Sequence, residues 1–168
     1  AYAGSLANFE HNSLTEKAIV AQVENLLIKD NAEASPFSTE DLEEAMQQVM
    51  DEYAGGISTG YRYTESQLDI ASKHIARLTK LSHGLRGKDN YQLLKIFELQ
   101  ERLLICRVLI AHLQARKETR WHSFAENLDY PAKNAAFEGY INSRLEQGNI
   151  KIIQRPLVGR GEHYEHQH

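Results

Sequence analysis

The segment LLKIFELQERLLICRVLIAHL, residues 93–113, constrains the fold more than any other part of the chain. Its apolar residues recur with helical spacing, but they cover more than one side of the helix. A helix that is apolar on several sides is packed on several sides. The pattern therefore predicts a central helix over about residues 90–118, on the order of 43 Å long at 1.5 Å per residue. Leu104 and Val108 are expected to be buried, and the arrangement favours an antiparallel bundle.

Polar capping residues mark the starts of four helices. Each is followed three residues later by an acid or an amide that can complete a capping box. The pairs are Ser13 with Glu16, Ser38 with Asp41, Thr64 with Gln67, and Asp89 with Gln92. Together with the apolar spacing, they predict helices over about residues 14–29, 39–53, 65–83 and 90–118.

The hydrophobic period changes after the fourth helix. The segment GYINSRLEQGNIKIIQRPLV alternates in places, and Gln147-Gly148-Asn149 is a turn sequence. We therefore predict a β-hairpin that pairs about 139–144 with 150–155, and a flexible tail over 158–168. The predicted fold class is mainly α: an antiparallel helical bundle with a long central helix and a small C-terminal β-hairpin.

Composition excludes several classes of protein. The net charge is −4, with 19 Lys and Arg against 23 Asp and Glu, which argues against a nucleic-acid or membrane-surface partner. No apolar run approaches the roughly 20 residues of a transmembrane helix, and no signal peptide is visible. The single cysteine, Cys106, is predicted to be a small hydrophobic residue. A cytoplasmic protein is expected. Phosphate-binding glycine motifs and Cys-x-x-Cys pairs are missing from the sequence.

Two polar clusters have simple structural interpretations. The histidines of the tail, His163, His166 and His168, resemble a metal-binding tract, but we predict no metal site because tail histidines without a scaffold are usually incidental. In RKETRW, residues 116–121, the basic residues would lie at a helix C-terminus and offset the helix dipole. The start of the first helix, around NSLTE, offers unpaired N–H groups and could instead be an anion site.

Several separated segments resemble one protein family. MDEYAGGISTGYRYTESQL, LQERLLICRVLIAHLQARKETRW, DYP and YINSRLEQGNIKIIQRP are similar to the C-terminal part of adenylylsulfate reductase flavoprotein subunits. These subunits belong to the larger fumarate reductase and succinate dehydrogenase flavoprotein family. The resemblance covers roughly residues 45–157, and Trp121 favours the adenylylsulfate reductase branch.

The resemblance implies a cofactor and partners. Asn12, Ser13 and Leu14 match a tripeptide that opens the flavin-facing helix of the family, where helix N–H groups can stabilise charge on a reduced flavin. The implied cofactor is FAD, bound in the assembled enzyme and not by this chain alone. Residues 1–30 would end the FAD domain, and 31–157 would form the helical domain with its hairpin. The implied interface residues, towards an FAD-domain polypeptide and an iron–sulfur subunit, are Arg116, Arg120 and Trp121.

Two functions remain open at the level of sequence. The chain could be the C-terminal portion of an FAD-dependent oxidoreductase, inactive as an isolated chain, with no catalytic residue of its own. Alternatively, it is a stand-alone helical interaction module without catalytic activity. The NSLTE motif favours the first. The second is favoured by Asn8, which stands where the family often carries a basic residue. Asn127 stands where the reductase branch carries an Arg, and both departures argue against adenylylsulfate turnover.

Overall fold

The chain is mainly helical, with a small antiparallel β-hairpin at its C-terminal end. The computed structural model describes residues 13–27, 35–120 and 125–157. Within these ranges the helices are α1 (Ser13–Glu24), α2 (Thr39–Tyr53), α3 (Glu65–Ser82) and α4 (Asn90–Ala115). The strands are β1 (Arg62–Tyr63), β2 (Glu126–Asn127), β3 (Gly139–Glu146) and β4 (Asn149–Pro156), and short 3-10 helices cover Ile57–Thr59 and Ala135–Phe137.

Helices α2 and α3 begin directly after their predicted capping residues. Ser38 and Asp41 exchange both capping-box hydrogen bonds, as do Thr64 and Gln67. Before α4 the box is modified: the Asp89 side chain accepts from the Gln92 N–H, while the Gln92 side chain accepts from the N–H of Lys88. These bonds satisfy donors that a helix N-terminus otherwise leaves unpaired.

The first helix is shorter than predicted. Ser13 is its first residue instead of its cap, and the helix ends at Glu24, five residues before the predicted 29. A turn follows, and Leu27 forms a parallel bridge with Gly87, whose N–H donates to the carbonyl of Leu26 at 2.9 Å. The end of α1 is therefore held at the turn between α3 and α4.

Helices α2, α3 and α4 share one core. α4 packs against α2, α3 and both strands of the hairpin. The buried side chains of α4 are spaced so that they lie on one side of the helix. They are Leu93, Ile96, Leu99, Leu103 and Ile110.

The prediction that Leu104 is buried is wrong. Leu104 is 37% exposed, and Val108 is half-buried, whereas Leu103 is fully buried. Helix α4 is apolar on two nearly opposite sides, and only the side that contains Leu103 faces the core. A sequence that is apolar on both sides does not reveal which one packs.

The fourth helix also ends three residues earlier than predicted. Arg116 is its C-cap, with extended backbone angles (φ −92°, ψ 97°), and Lys117 and Arg120 lie beyond the helix. Arg116, Lys117 and Arg120 therefore do not lie in the last turn of the helix. The prediction that they offset the helix dipole is wrong, and they form the specific ion pairs described below.

The hairpin is confirmed and is longer than predicted. Gly139 pairs with Pro156, and the register continues to Glu146 opposite Asn149. The two connecting residues, Gln147 and Gly148, both have positive φ (49° and 79°), as a two-residue type I′ turn requires. This turn places the hairpin beside α4, where Arg107 donates to the Gly148 carbonyl at 3.0 Å.

Replacing Leu103 with alanine is predicted to lower the free energy of unfolding by about 2–5 kcal/mol, because it opens a cavity in the core. The matched variant Leu104→Ala removes the same atoms from an exposed site and is predicted to cost less than about 1 kcal/mol. Urea denaturation of both variants measures the difference. Equal losses would place both side chains in the core and contradict the observed orientation of α4.

Candidate docking site

The carboxylate of Glu118 is a buried charge that joins three parts of the chain. Arg116 Nη1 lies 2.5 Å from its Oε1, and Arg120 binds both oxygens at 2.7 and 3.1 Å. The N–H of Asn134 donates to Oε2 at 2.9 Å. Arg116 also donates to the carbonyls of Phe137 and Gly139, each at 3.3 Å, and thus connects the end of α4 to the start of the hairpin.

These contacts explain the acidity of Glu118. Burial by itself raises the pKa of this carboxyl group, because the charged form loses its hydration. The hydrogen bonds from Arg120, from the Asn134 N–H and from Arg116 outweigh burial and lower the pKa from 4.5 to about 2. Glu118 is therefore an ionised structural anchor at neutral pH.

Thr119 forms hydrogen bonds with the described segment 127–132. It is 1% exposed, and its hydroxyl accepts from the Asn127 N–H at 3.0 Å and donates to the Tyr130 carbonyl at 2.9 Å. Its own N–H donates to the carbonyl of Ala132 at 3.1 Å. Asn127, which stands where the reductase branch was expected to carry an Arg, is 1% exposed and pairs in parallel with Tyr63. This position is therefore part of the folded core.

The Asp129-Tyr130-Pro131 motif fixes the start of α3. Asp129 accepts from the N–H of Glu65, the first residue of α3, at 2.6 Å. Lys117 pairs with Glu65 at 2.8 Å and lies 5.5 Å from the ring centre of Tyr130. A carboxylate at a helix N-terminus is favourable because it meets the positive end of the helix dipole.

A cavity of about 550 Å³ lies beside this anchor. Among its described lining residues, the guanidinium groups of Arg116 and Arg120 are already paired with Glu118. His112, also on the lining, lies 2.9 Å from the Ser143 hydroxyl. These three polar side chains of the lining are therefore already engaged in contacts within the chain.

The outer side of α4 is an exposed apolar face. We use the name outer face for the following side chains of α4, which recur at helical spacing and are 37–60% exposed: Leu94, Phe97, Leu104, Ile105 and Leu109. Five exposed apolar side chains on one side of a helix make this face a candidate interface.

Helix α1 ends beside the outer face. Asn25 and Leu26 line a cavity of about 320 Å³ together with Phe97 of that face. Further along α1, Ile19 and Val20 are 56% and 49% exposed. Much of the described part of α1 is therefore uncovered, although its C-terminal end is attached to the α3–α4 turn.

The structure describes some of the site residues that were predicted from the sequence, and others lie outside the described ranges. Asn12 and Trp121 lie outside the described residues, as do the tail histidines and the tail itself. Ser13 and Leu14 are the first two residues of α1. Arg116 and Arg120 lie together at Glu118, a buried acid that the sequence interpretation did not single out as a site. Its position between two arginines in RKETR was the available signal.

Two kinds of feature are absent from the described residues. No group of three or more potential metal ligands occurs within the described ranges. Nor do these ranges contain a helix with the length and apolar character needed to cross a membrane.

Comparison with known proteins identifies the class of flavoprotein to which the chain is similar. No protein-family model matches the chain. Its sequence is 28% identical over 109 residues to adenylylsulfate reductase subunit alpha of Megalodesulfovibrio gigas, a match that covers 63% of this chain and 16% of that subunit. The chain is homologous to that alpha subunit over this part.

Solved structures show the same fold. Adenylylsulfate reductase from the hyperthermophilic Archaeoglobus fulgidus superposes with a TM-score of 0.81 at 23% identity, over 94% of this chain and 27% of that chain. Quinol fumarate reductase of E. coli superposes with a TM-score of 0.69 at 16% identity, over 89% of this chain and 26% of that chain. The chain thus spans only about a quarter or less of these flavoproteins.

Replacing Glu118 with glutamine is predicted to lower the free energy of unfolding at pH 7 by about 3–4 kcal/mol, since each unit of pKa shift corresponds to about 1.4 kcal/mol. The pKa is lowered on folding, so this stabilisation is complete above about 4.5, the unfolded value, and is lost as the pH falls towards about 2. Urea denaturation across this range should show the two proteins converging at low pH.

The control for this experiment is Glu44→Gln, which changes an exposed carboxylate of α2. It should leave the stability nearly unchanged throughout the range. A difference between wild type and Glu118→Gln that did not vary with pH would contradict the charged anchor.

Proposed function

We propose that the chain forms the C-terminal helical portion of an FAD-dependent oxidoreductase flavoprotein of the adenylylsulfate reductase or fumarate reductase type. In this proposal residues 31–157 form an antiparallel bundle around α4 with its hairpin, and residues 1–30 belong to the end of the FAD domain. The assembled enzyme would act in the cytoplasm. The observation that carries the proposal is an uncovered apolar face in a chain homologous to one part of a larger flavoprotein.

The exposed surface supports the proposed position of the FAD domain. α1 has exposed apolar residues and ends beside Phe97 of the outer face. A domain that surrounded α1 would therefore lie next to the outer face of α4. Covering both at once would remove apolar surface from water, which is the main favourable contribution to association.

The flavin contact is proposed for Asn12, Ser13 and Leu14. Ser13 and Leu14 begin α1, and the first N–H groups of a helix have no partner within it. Such groups, with the positive end of the helix dipole, can stabilise the negative charge of a reduced flavin. The redox chemistry is supplied by FAD, so the chain has no catalytic residue in this proposal and contributes one wall of the site.

Arg116, Arg120 and Trp121 are proposed to lie near an interface with an iron–sulfur subunit. The two arginines are partly exposed, with side-chain exposures of 28%, while their guanidinium groups bind Glu118. Reversing the charge of Arg120 would bring a second carboxylate to Glu118 and is expected to unfold this region. Arg120 is therefore unsuitable for testing the interface, and a residue of the outer face is preferred.

A second candidate function is a stand-alone helical interaction module. It is favoured by Asn8, where the flavoprotein family often carries a basic residue. The two candidates differ in the partner: only the oxidoreductase fragment must associate with a protein that carries flavin.

The isolated chain is predicted not to bind FAD. A dinucleotide needs a pyrophosphate-binding motif and a cleft, and the sequence contains no dinucleotide-binding glycine motif. Purified chain should show no flavin absorbance, and fluorescence titration with FAD should not saturate. A stoichiometric yellow complex would contradict this prediction.

Affinity-tagged chain expressed in its native source is predicted to recover a protein that carries flavin, detected by its absorbance and by mass spectrometry. Ile105→Lys places a charge on the outer face and should reduce the recovered flavin by about tenfold or more. The matched control is Ile57→Lys, which changes a 77% exposed isoleucine in a different segment. Recovery of monomeric chain without flavin would overturn the oxidoreductase proposal in favour of the stand-alone module.

A further inference from the structure

The outer face of α4 contains one unpaired acid at its centre. Glu101 is exposed, and its neighbours at helical spacing are Phe97, Leu104 and Ile105. Leu94 and Leu109 lie further out towards the two ends of the face. Glu101 therefore lies where a partner that covers this face would make its central contact.

Other charges in the middle of α4 are compensated within the chain. Lys95 pairs with Glu40 at 2.8 Å. Arg102 pairs with Glu43 of α2 and with Glu98 at 3.4 Å. Among the described residues, no ion pair or hydrogen bond of the Glu101 side chain is found. The charged residues around the outer face are thus paired within the chain, whereas the carboxylate of Glu101 at its centre is not.

Covering this face would desolvate the Glu101 carboxylate. Taking a charge out of water is costly unless an opposite charge and hydrogen bonds replace the lost hydration. A purely apolar partner would therefore bind poorly. A partner with a basic side chain opposite Glu101 would gain both the apolar contact and a charge-assisted hydrogen bond.

A second copy of the chain is a poor occupant. A symmetric dimer uses the same surface on both subunits. The outer face extends from Leu94 to Leu109, so Glu101 lies near its midpoint. A twofold axis through that midpoint would bring two Glu101 carboxylates together, and like charges across an interface are strongly unfavourable.

We propose that the outer face of α4 binds a protein partner whose apolar surface carries an arginine or a lysine that pairs with Glu101. This inference rests on the proposed function, since it describes the docking surface of the flavin-carrying partner. It adds the chemistry of the contact: the same carboxylate that attracts a basic partner prevents self-association.

A mixing experiment tests whether the outer face requires an opposite charge at position 101 of its partner. The chain itself is the probe. Wild type and Glu101→Lys should each be monomeric in sedimentation equilibrium, because both would place like charges at the centre. An equimolar mixture should form heterodimers that dissociate at high salt, since the lysine of the variant stands in for the basic partner. The matched control, wild type mixed with Glu44→Lys, should remain monomeric.

The outcomes separate the alternatives. Self-association of wild type that Ile105→Lys abolishes would overturn the inference and make a second copy the occupant. A mixture no more associated than its components would also overturn it, since the charge at position 101 would not govern binding.

The flavin-carrying partner is likewise expected to need a negative charge at position 101. In native-source capture, Glu101→Lys should reduce the recovered flavin by about tenfold or more, equivalent to about 1.4 kcal/mol. Glu44→Lys should not reduce it. Recovery unchanged by Glu101→Lys would contradict the inference but not the proposed function. Recovery of no flavin with any variant would overturn the proposed function, and the mixing experiment would then decide this inference alone.

Discussion

The ion-pair cluster at Glu118 holds together the parts of the chain that the helical core does not reach. A buried carboxylate must be paired, and here its partners come from the end of α4, from Arg120 and from the backbone at Asn134. Through Arg116 the same cluster reaches the carbonyls of Phe137 and Gly139. One buried charge thus connects the end of α4 with Asn134 and with the start of the hairpin.

The two sides of α4 have different roles. Its buried side, with Leu99 and Leu103 fully buried, packs within the chain, and the hairpin is supported by contacts such as the pair formed by His112 and Ser143. Its outer side is apolar without a described partner. Helices α2 and α3 pack on the inner side and so position the outer face, and a surface that is ordered before binding loses less entropy when it binds.

Local signals in the sequence predicted the starts of α2, α3 and α4 and the hairpin, because caps and turns depend on adjacent residues. Ser38 and Thr64 form the predicted capping boxes, and Gln147 and Gly148 form the predicted turn. The orientation of α4 was not predictable, since both of its sides are apolar. The end of α4 was also missed, because it depends on the pairing of Arg116 with Glu118 and with the hairpin, which are tertiary contacts.

The attachment of α1 connects these features to the proposed flavin contact. Its C-terminal end meets the rest of the fold through the hydrogen bond between Gly87 and the Leu26 carbonyl, and Val23 and Leu26 pack against the core. Its N-terminal residues, proposed to face the flavin, lie at the opposite end of a 12-residue helix, which spans about 18 Å. A domain that packs on both α1 and the outer face would hold the two helices in one arrangement. In the proposed enzyme, docking at Glu101 would therefore also position the flavin-facing end of α1.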